Sequence, residues 1–170
     1  MLEIISWTKR RFTFDQPVAV FPAILERLRG TPARAAALVS GFSEDALATR
    51  IDQKWSAKEH IGHLVDLQFL DESRLQQFLA RVAVLSPADL ENRATQEANH
   101  RKTGIAEILK RLETGRSELA KKLEALSAEE LSIRSLHPRL QQNMRLLDWV
   151  FFIAEHDDHH LAKARAALAG

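Results

Sequence analysis

Seven histidines occur in 170 residues, and three of them are placed where they could do chemistry. His63 lies in the segment KEHIGHLVD; His156 and His160 lie in AEHDDHHLAKAR. On a helix, an i, i+4 pair stacks both imidazoles on one face. With a third imidazole from a neighbouring helix, the pair could hold one divalent metal and leave coordination positions open, as metal-dependent chemistry requires. The chain has no cysteine, so disulfides are excluded and any metal must be bound by His, Asp, Glu or water.

Such a site needs helices to carry it, and the sequence reads as all-α. Proline is confined to positions 17, 22, 32, 87 and 138, and few segments alternate strictly. A first helical region is expected from about Val18 to Val39, broken near RGTP, with Thr31 as a cap and Pro32 at the first helical position. The tetrad SAKE is a capping box, Ser56 with Glu59, opening a long helix to about Leu85. A polar stretch leads to a third helix from about Thr103 to Leu126. A second capping box, Ser127 with Glu130, starts a short turn. SLHPRLQQN reads as a loop, and the fourth long helix runs from about Met144 to Ala169. Four long helices joined by connections of mixed length indicate a four-helix bundle.

A wheel at roughly 100° per residue places Leu147, Val150, Phe151, Ala154, Leu161 and Leu168 in the core stripe of the last helix, with Arg165 among them. His156 and His160 lie together at its edge, and His159 lies further round with Asp148, Phe152 and Glu155. Asp157 projects near the pair, where it could orient a ligand. Phe152 on the polar face hints at a homodimer interface. On the second helix His60 falls within the apolar sector and His63 at its edge, so the wheel leaves both open. Leu64, Leu67, Leu75, Phe78 and Val82 complete that sector. Asp71 and Arg74 also point inward, as does Arg116 on the third helix; these read as an ion-pair network, since a buried arginine needs a partner. Trp55 reads as a staple on the second helix, and Trp7 with KRRF as part of a mobile or docked arm. His100 and His137 are weaker candidates.

Length and composition fit one domain over residues 1–170, with residues 1–16 as an N-terminal arm. A net charge of +1, with 24 basic and 23 acidic residues, gives no sign of a nucleic-acid or anionic-membrane partner. The early Glu3 and the late basic cluster are in the wrong order for a secretory signal. A cytoplasmic location is therefore expected.

On WSAKEHIGHLVD, Arg116, LHPRLQQNMRLLDWV and AEHDDHHLAKAR, the chain resembles the DinB/YfiT-like superfamily of four-helix-bundle proteins. The resemblance covers most of the chain. It implies a divalent metal bound by His63, His156 and His160, the Gly62-His63-Leu64 context selecting His63 over His60. Zinc or nickel, with iron as a third option, is the implied metal. The resemblance also implies dimers, a small-molecule substrate and low-molecular-weight thiols as co-substrates. Two functions follow: a metal-dependent enzyme activating water or a thiol (hydrolase or S-transferase, with His60 as the candidate catalytic residue), or a non-catalytic stress-associated bundle bolted by a structural metal.

Overall fold

Ser56 accepts a hydrogen bond from the Glu59 amide at 3.4 Å, and the Glu59 carboxylate accepts from the Ser56 amide at 2.9 Å. This reciprocal cap starts the helix carrying His63. The structure, a computed structural model, describes residues 3–169. Met1 and Leu2, at the head of the expected N-terminal arm, lie outside the described residues, as does Gly170.

The helices are α1 (Phe21–Arg29), α2 (Thr31–Val39), α3 (Glu44–Ala48), α4 (Ala57–Asp66), α5 (Gln68–Leu79), α6 (Arg93–Glu97), α7 (Ile105–Glu124), α8 (Ala128–Leu131) and α9 (Leu146–Leu168). The bundle has four arms: α1 with α2, α4 with α5, α7, and α9. The first arm packs on α7 and α9, and so does α4. Gly30 and Thr31 join α1 to α2 directly; Thr31 is the first residue of α2 rather than its side-chain cap.

The expected helix from Ser56 to Leu85 is interrupted at Leu67 and ends at Leu79. Its end is a Schellman motif: the Arg81 amide donates to Phe78 O at 2.8 Å and the Val82 amide to Gln77 O at 2.9 Å. Arg81 takes the left-handed conformation, φ +56°, that glycine usually fills. Val82, expected in the core, is therefore exposed.

The expected loop SLHPRLQQN holds a small antiparallel hairpin, β1 (Arg134–His137) and β2 (Gln142–Arg145), in register Arg134 to Arg145. Gln141 turns it with φ +52°. Leu136 also exchanges backbone bonds with the chain after α5, donating to Ala83 O at 2.9 Å and accepting from Leu85 at 3.0 Å. The hairpin fixes His137 and Arg139 beside the bundle.

Two apolar clusters fill the interior. One joins Phe21, Leu25, Leu75, Phe78, Leu119, Leu123, Trp149 and Ile153; the other joins Ala35, Leu47, Ile61, Leu64, Leu112, Leu161 and Ala164. Between their levels on the helices sits a charged layer. Arg116, 1% exposed, donates to Asp157 at 2.7 and 3.0 Å and to Asp71 at 2.9 Å. The ion-pair network uses both aspartates at once, Asp157 being bound to Arg116 rather than to a histidine, while Arg74, expected in the network, forms no ion pair among the described residues and donates to the Ser86 carbonyl.

The N-terminal segment is docked. Trp7, in a 3-10 turn (Trp7–Lys9), and Phe12 pack on Phe152 with ring centroids 4.9 and 5.1 Å away. Phe152 is thereby buried within the chain, which removes the reason for reading it as a dimer interface. Arg10 pairs with Glu155. Arg165, expected in the core stripe, is exposed.

Candidate metal centre

Helix α4 presents His63, and α9 presents His156 and His160 one turn apart. One ring nitrogen from each lies within 4.8 Å of the others. The ring centroids are 4.6 Å apart for His63 and His160, 4.5 Å for His156 and His160, and 5.4 Å for His63 and His156.

Two of the three rings have their second nitrogen engaged. His63 Nδ1 lies 2.9 Å from the Thr95 hydroxyl on α6. Thr95 in turn bonds the Asp66 carboxylate, which also receives His100 Nε2 at 2.8 Å. These bonds hold Asp66 below its ordinary range against the opposing effect of burial. An ionised Asp66 takes the hydroxyl proton, so Thr95 accepts from His63 Nδ1–H and the Nε2 lone pair of His63 is left free. His160 Nδ1 lies 3.1 Å from His60 Nδ1; with His160 as the donor of this bond, its Nε2 lone pair is free.

The imidazoles are neutral. Burial, with a smaller contribution from neighbouring histidines or cations, pushes His63 down to about 4 and His60 to about 3. His156 and His160 are driven well below the ordinary value, again mainly by burial. Neutral imidazole is the ligating form. Three convergent neutral imidazoles, two of them oriented by a second hydrogen bond, fit a divalent cation.

His159, at the other side of His160, packs on Trp7 with centroids 5.6 Å apart and is not in the convergent group. His60 stands behind His160, against Trp55. Trp55 also packs on His63, so it roofs the cluster as well as the start of α4. His100 is buried over Gly62: a Cβ there would lie 2.3 Å from the imidazole, so only glycine fits. Sequence reasoning passed over Thr95 and Asp66 and held His100 only as a weaker candidate. The one available signal was His100 itself, a histidine in an otherwise polar stretch.

A cavity of about 290 Å³ adjoins the cluster and shares His63 and His156 with it. Leu67, Leu70, Trp149, Phe152 and Ile153 supply apolar wall; Arg74, His137 and Arg139 supply polar wall.

A helical bundle with three inward imidazoles beside an open cavity defines a class of proteins able to bind a metal within the bundle. The comparisons name the family. The profile of the DinB superfamily matches residues 27–164, and the chain belongs to that superfamily. Among solved structures it is similar to YfiT from Bacillus subtilis, with 18% identity, a TM-score of 0.78, and coverage of 94% of this chain and 90% of that one. YfiT is described as a probable metal-dependent hydrolase with an unusual four-helix bundle topology. No curated protein matches the chain. No described helix is long and apolar enough to cross a membrane.

Proposed function

We propose that this protein is a metal-dependent enzyme of hydrolytic type, acting on a small molecule in the cavity beside His63 and His156. The convergence of three neutral imidazoles, His63 and His160 buried and His156 half-buried, carries the reading. His63, His156 and His160 hold one divalent ion, with zinc first and nickel or iron as the other candidates, because three histidines with open positions are a familiar catalytic zinc arrangement. The ion, when bound, lowers the pKa of a coordinated water or thiol and supplies a nucleophile at neutral pH. Thr95 holds the ring of His63 in the ligating tautomer, and His60 does the same for His160 by accepting its Nδ1 proton in this reading. Trp55 and Trp7 limit solvent around the cluster. His60 is assigned a positioning role here, since its Nδ1 is engaged with His160.

Two observations favour catalysis over a structural bolt. The convergent group contains three residues and no fourth His, Cys, Asp or Glu ligand among the described residues. The cavity reaches two of the three. The description of YfiT supports hydrolysis; activation of a low-molecular-weight thiol would use the same site. The absence of cysteine suits a cytoplasmic setting.

Protein purified without a histidine tag and reconstituted with zinc, nickel or iron should bind close to one ion per chain. His160→Ala should abolish binding and His159→Ala should leave it intact. Binding of none of the three metals, or equal loss in both variants, would overturn the site. Ester and amide hydrolysis should vanish on chelation and return with metal. Chelation that collapses the fold of a protein with no such activity would favour the structural reading.

A further inference from the structure

One stretch of the cavity wall carries more hydrogen-bond donors than the protein can satisfy. Trp149 is fully buried, and its indole N–H has no partner. Arg139 has a buried Nη2 that is also unpartnered. Its guanidinium lies over the rings of Trp7 and Phe152, 5.9 and 5.6 Å away, and forms no ion pair among the described residues. His137 adds a third surplus. The Leu140 amide donates to its Nδ1 at 3.3 Å, while Arg74 Nη1 faces its Nε2 at 3.4 Å. A neutral imidazole has one lone pair and one N–H, so one of these two donors meets an N–H whichever tautomer is present. Protonation would only enlarge the surplus.

The carboxylates that line the cavity are already engaged. Asp71 is bound to Arg116, and Asp89 to Arg93 and its backbone. Arg116 takes both Asp71 and Asp157, and Arg74 donates to the Ser86 carbonyl with Asp71 nearby, while Arg139 has no carboxylate partner among the described residues. Orphaned buried donors and an unpaired arginine are costly unless a ligand completes them.

We infer that this wall binds the carboxylate of a small substrate with an apolar body, Arg139 and Trp149 receiving the carboxylate and Leu67, Leu70 and Ile153 the body. A planar guanidinium is matched to a carboxylate. The volume, about 290 Å³, lies at the small end of ligand pockets, roughly 300–1,000 Å³, and so sets an upper size. The shared lining by His63 and His156 puts the rest of such a molecule beside the metal ligands. That last point rests on the function proposed above; the carboxylate site itself does not.

The test uses hexanoate and phenylacetate against hexanamide, phenylacetamide and phenyl phosphate, with metal-free and metal-loaded protein. Affinity is read by calorimetry and by the Trp149 indole N–H resonance, assigned with Trp149→Phe. Carboxylates should bind both forms, shift the Trp149 signal and exceed their amides by about tenfold or more. Arg139→Gln should remove that preference, and Arg139→Lys should retain part of it. Circular dichroism confirms that each variant is folded. Amides binding as well as acids, phenyl phosphate binding more tightly, no acid binding, or affinity indifferent to Arg139→Gln overturns the inference. Carboxylate binding seen only with metal and insensitive to Arg139 also overturns it, while leaving the metal centre standing. Arg139-dependent binding in a protein that takes up no metal supports the pocket and removes the metal centre.

Discussion

The Thr95 hydroxyl has one proton, and the ionised Asp66 takes it, so the hydroxyl can only accept from His63. A single methyl-for-hydroxyl change therefore reaches the metal centre through one ring. Thr95→Val should keep the packing but leave His63 Nδ1–H unpaired, with a stability loss of about 1–3 kcal/mol. Metal affinity should fall about 10–100-fold, the usual cost of losing a hydrogen bond behind a ligand. Thr95→Ser should recover most of the affinity. Metal titration and urea unfolding check both effects, and a Thr95→Val protein that binds metal like the wild type would show that His63 is oriented by something else. The His156 and His160 pair was legible in the sequence because i, i+4 spacing is a local pattern; the wheel left His60 and His63 open, and the family resemblance chose His63. Thr95 was not legible, since it lies 32 residues from His63 in a stretch that reads as a polar connection. Trp149 and Arg139 were hidden for a related reason: an unpaired donor is a property of the assembled wall, not of either segment.

At the scale of the elements, the charged layer matters most. Arg116 on α7 ties α5 through Asp71 to α9 through Asp157. Burial raises the Asp71 carboxyl to about 6, with the nearby Asp157 charge adding to the rise and Arg116 opposing it. Arg116→Met removes the cation while leaving two buried carboxylates, so it should destabilise the fold by about 3–5 kcal/mol. Replacing all three residues by apolar ones of similar volume should recover much of that loss. Urea midpoints of the single and triple variants decide the matter; a single variant within about 1 kcal/mol of wild type would show that the layer is solvated. The helices themselves followed from apolar periodicity, proline positions and the two serine capping boxes. Their one long misreading was the end of α5, where Arg81 rather than glycine holds the left-handed position of the Schellman motif. The hairpin escaped because its strands are four residues each, too short for alternation to register. One of them is stabilised by pairing with the chain after α5, a contact far away in sequence.

For the whole molecule, the buried histidines set the response to acid. Burial, aided by nearby cations or histidines, holds His60 at about 3 and His63, His137 and His159 at about 4, against 6.5 in the unfolded chain. Burial also drives His156 and His160 well below that value. Between pH 6.5 and 4 the unfolded chain therefore binds more protons than the folded one, and stability is lost as the pH falls through that window. Asp71 works the other way: its raised carboxyl takes a proton near pH 6 in the fold and only near 3.8 in the unfolded chain. Each group contributes a slope of at most about 1.4 kcal/mol per pH unit, so one carboxyl cannot offset six imidazoles. The urea midpoint of the metal-free protein should fall steadily from pH 7 to pH 5. Bound metal adds stability by mass action, but protons compete for the same nitrogens. The gap in Tm between metal-loaded and chelated protein should therefore be wide at pH 7 and close toward pH 5. A metal-free midpoint that stays flat or rises would mean that the histidines are not buried neutral, and a gap independent of pH would mean that the metal is not held by imidazoles.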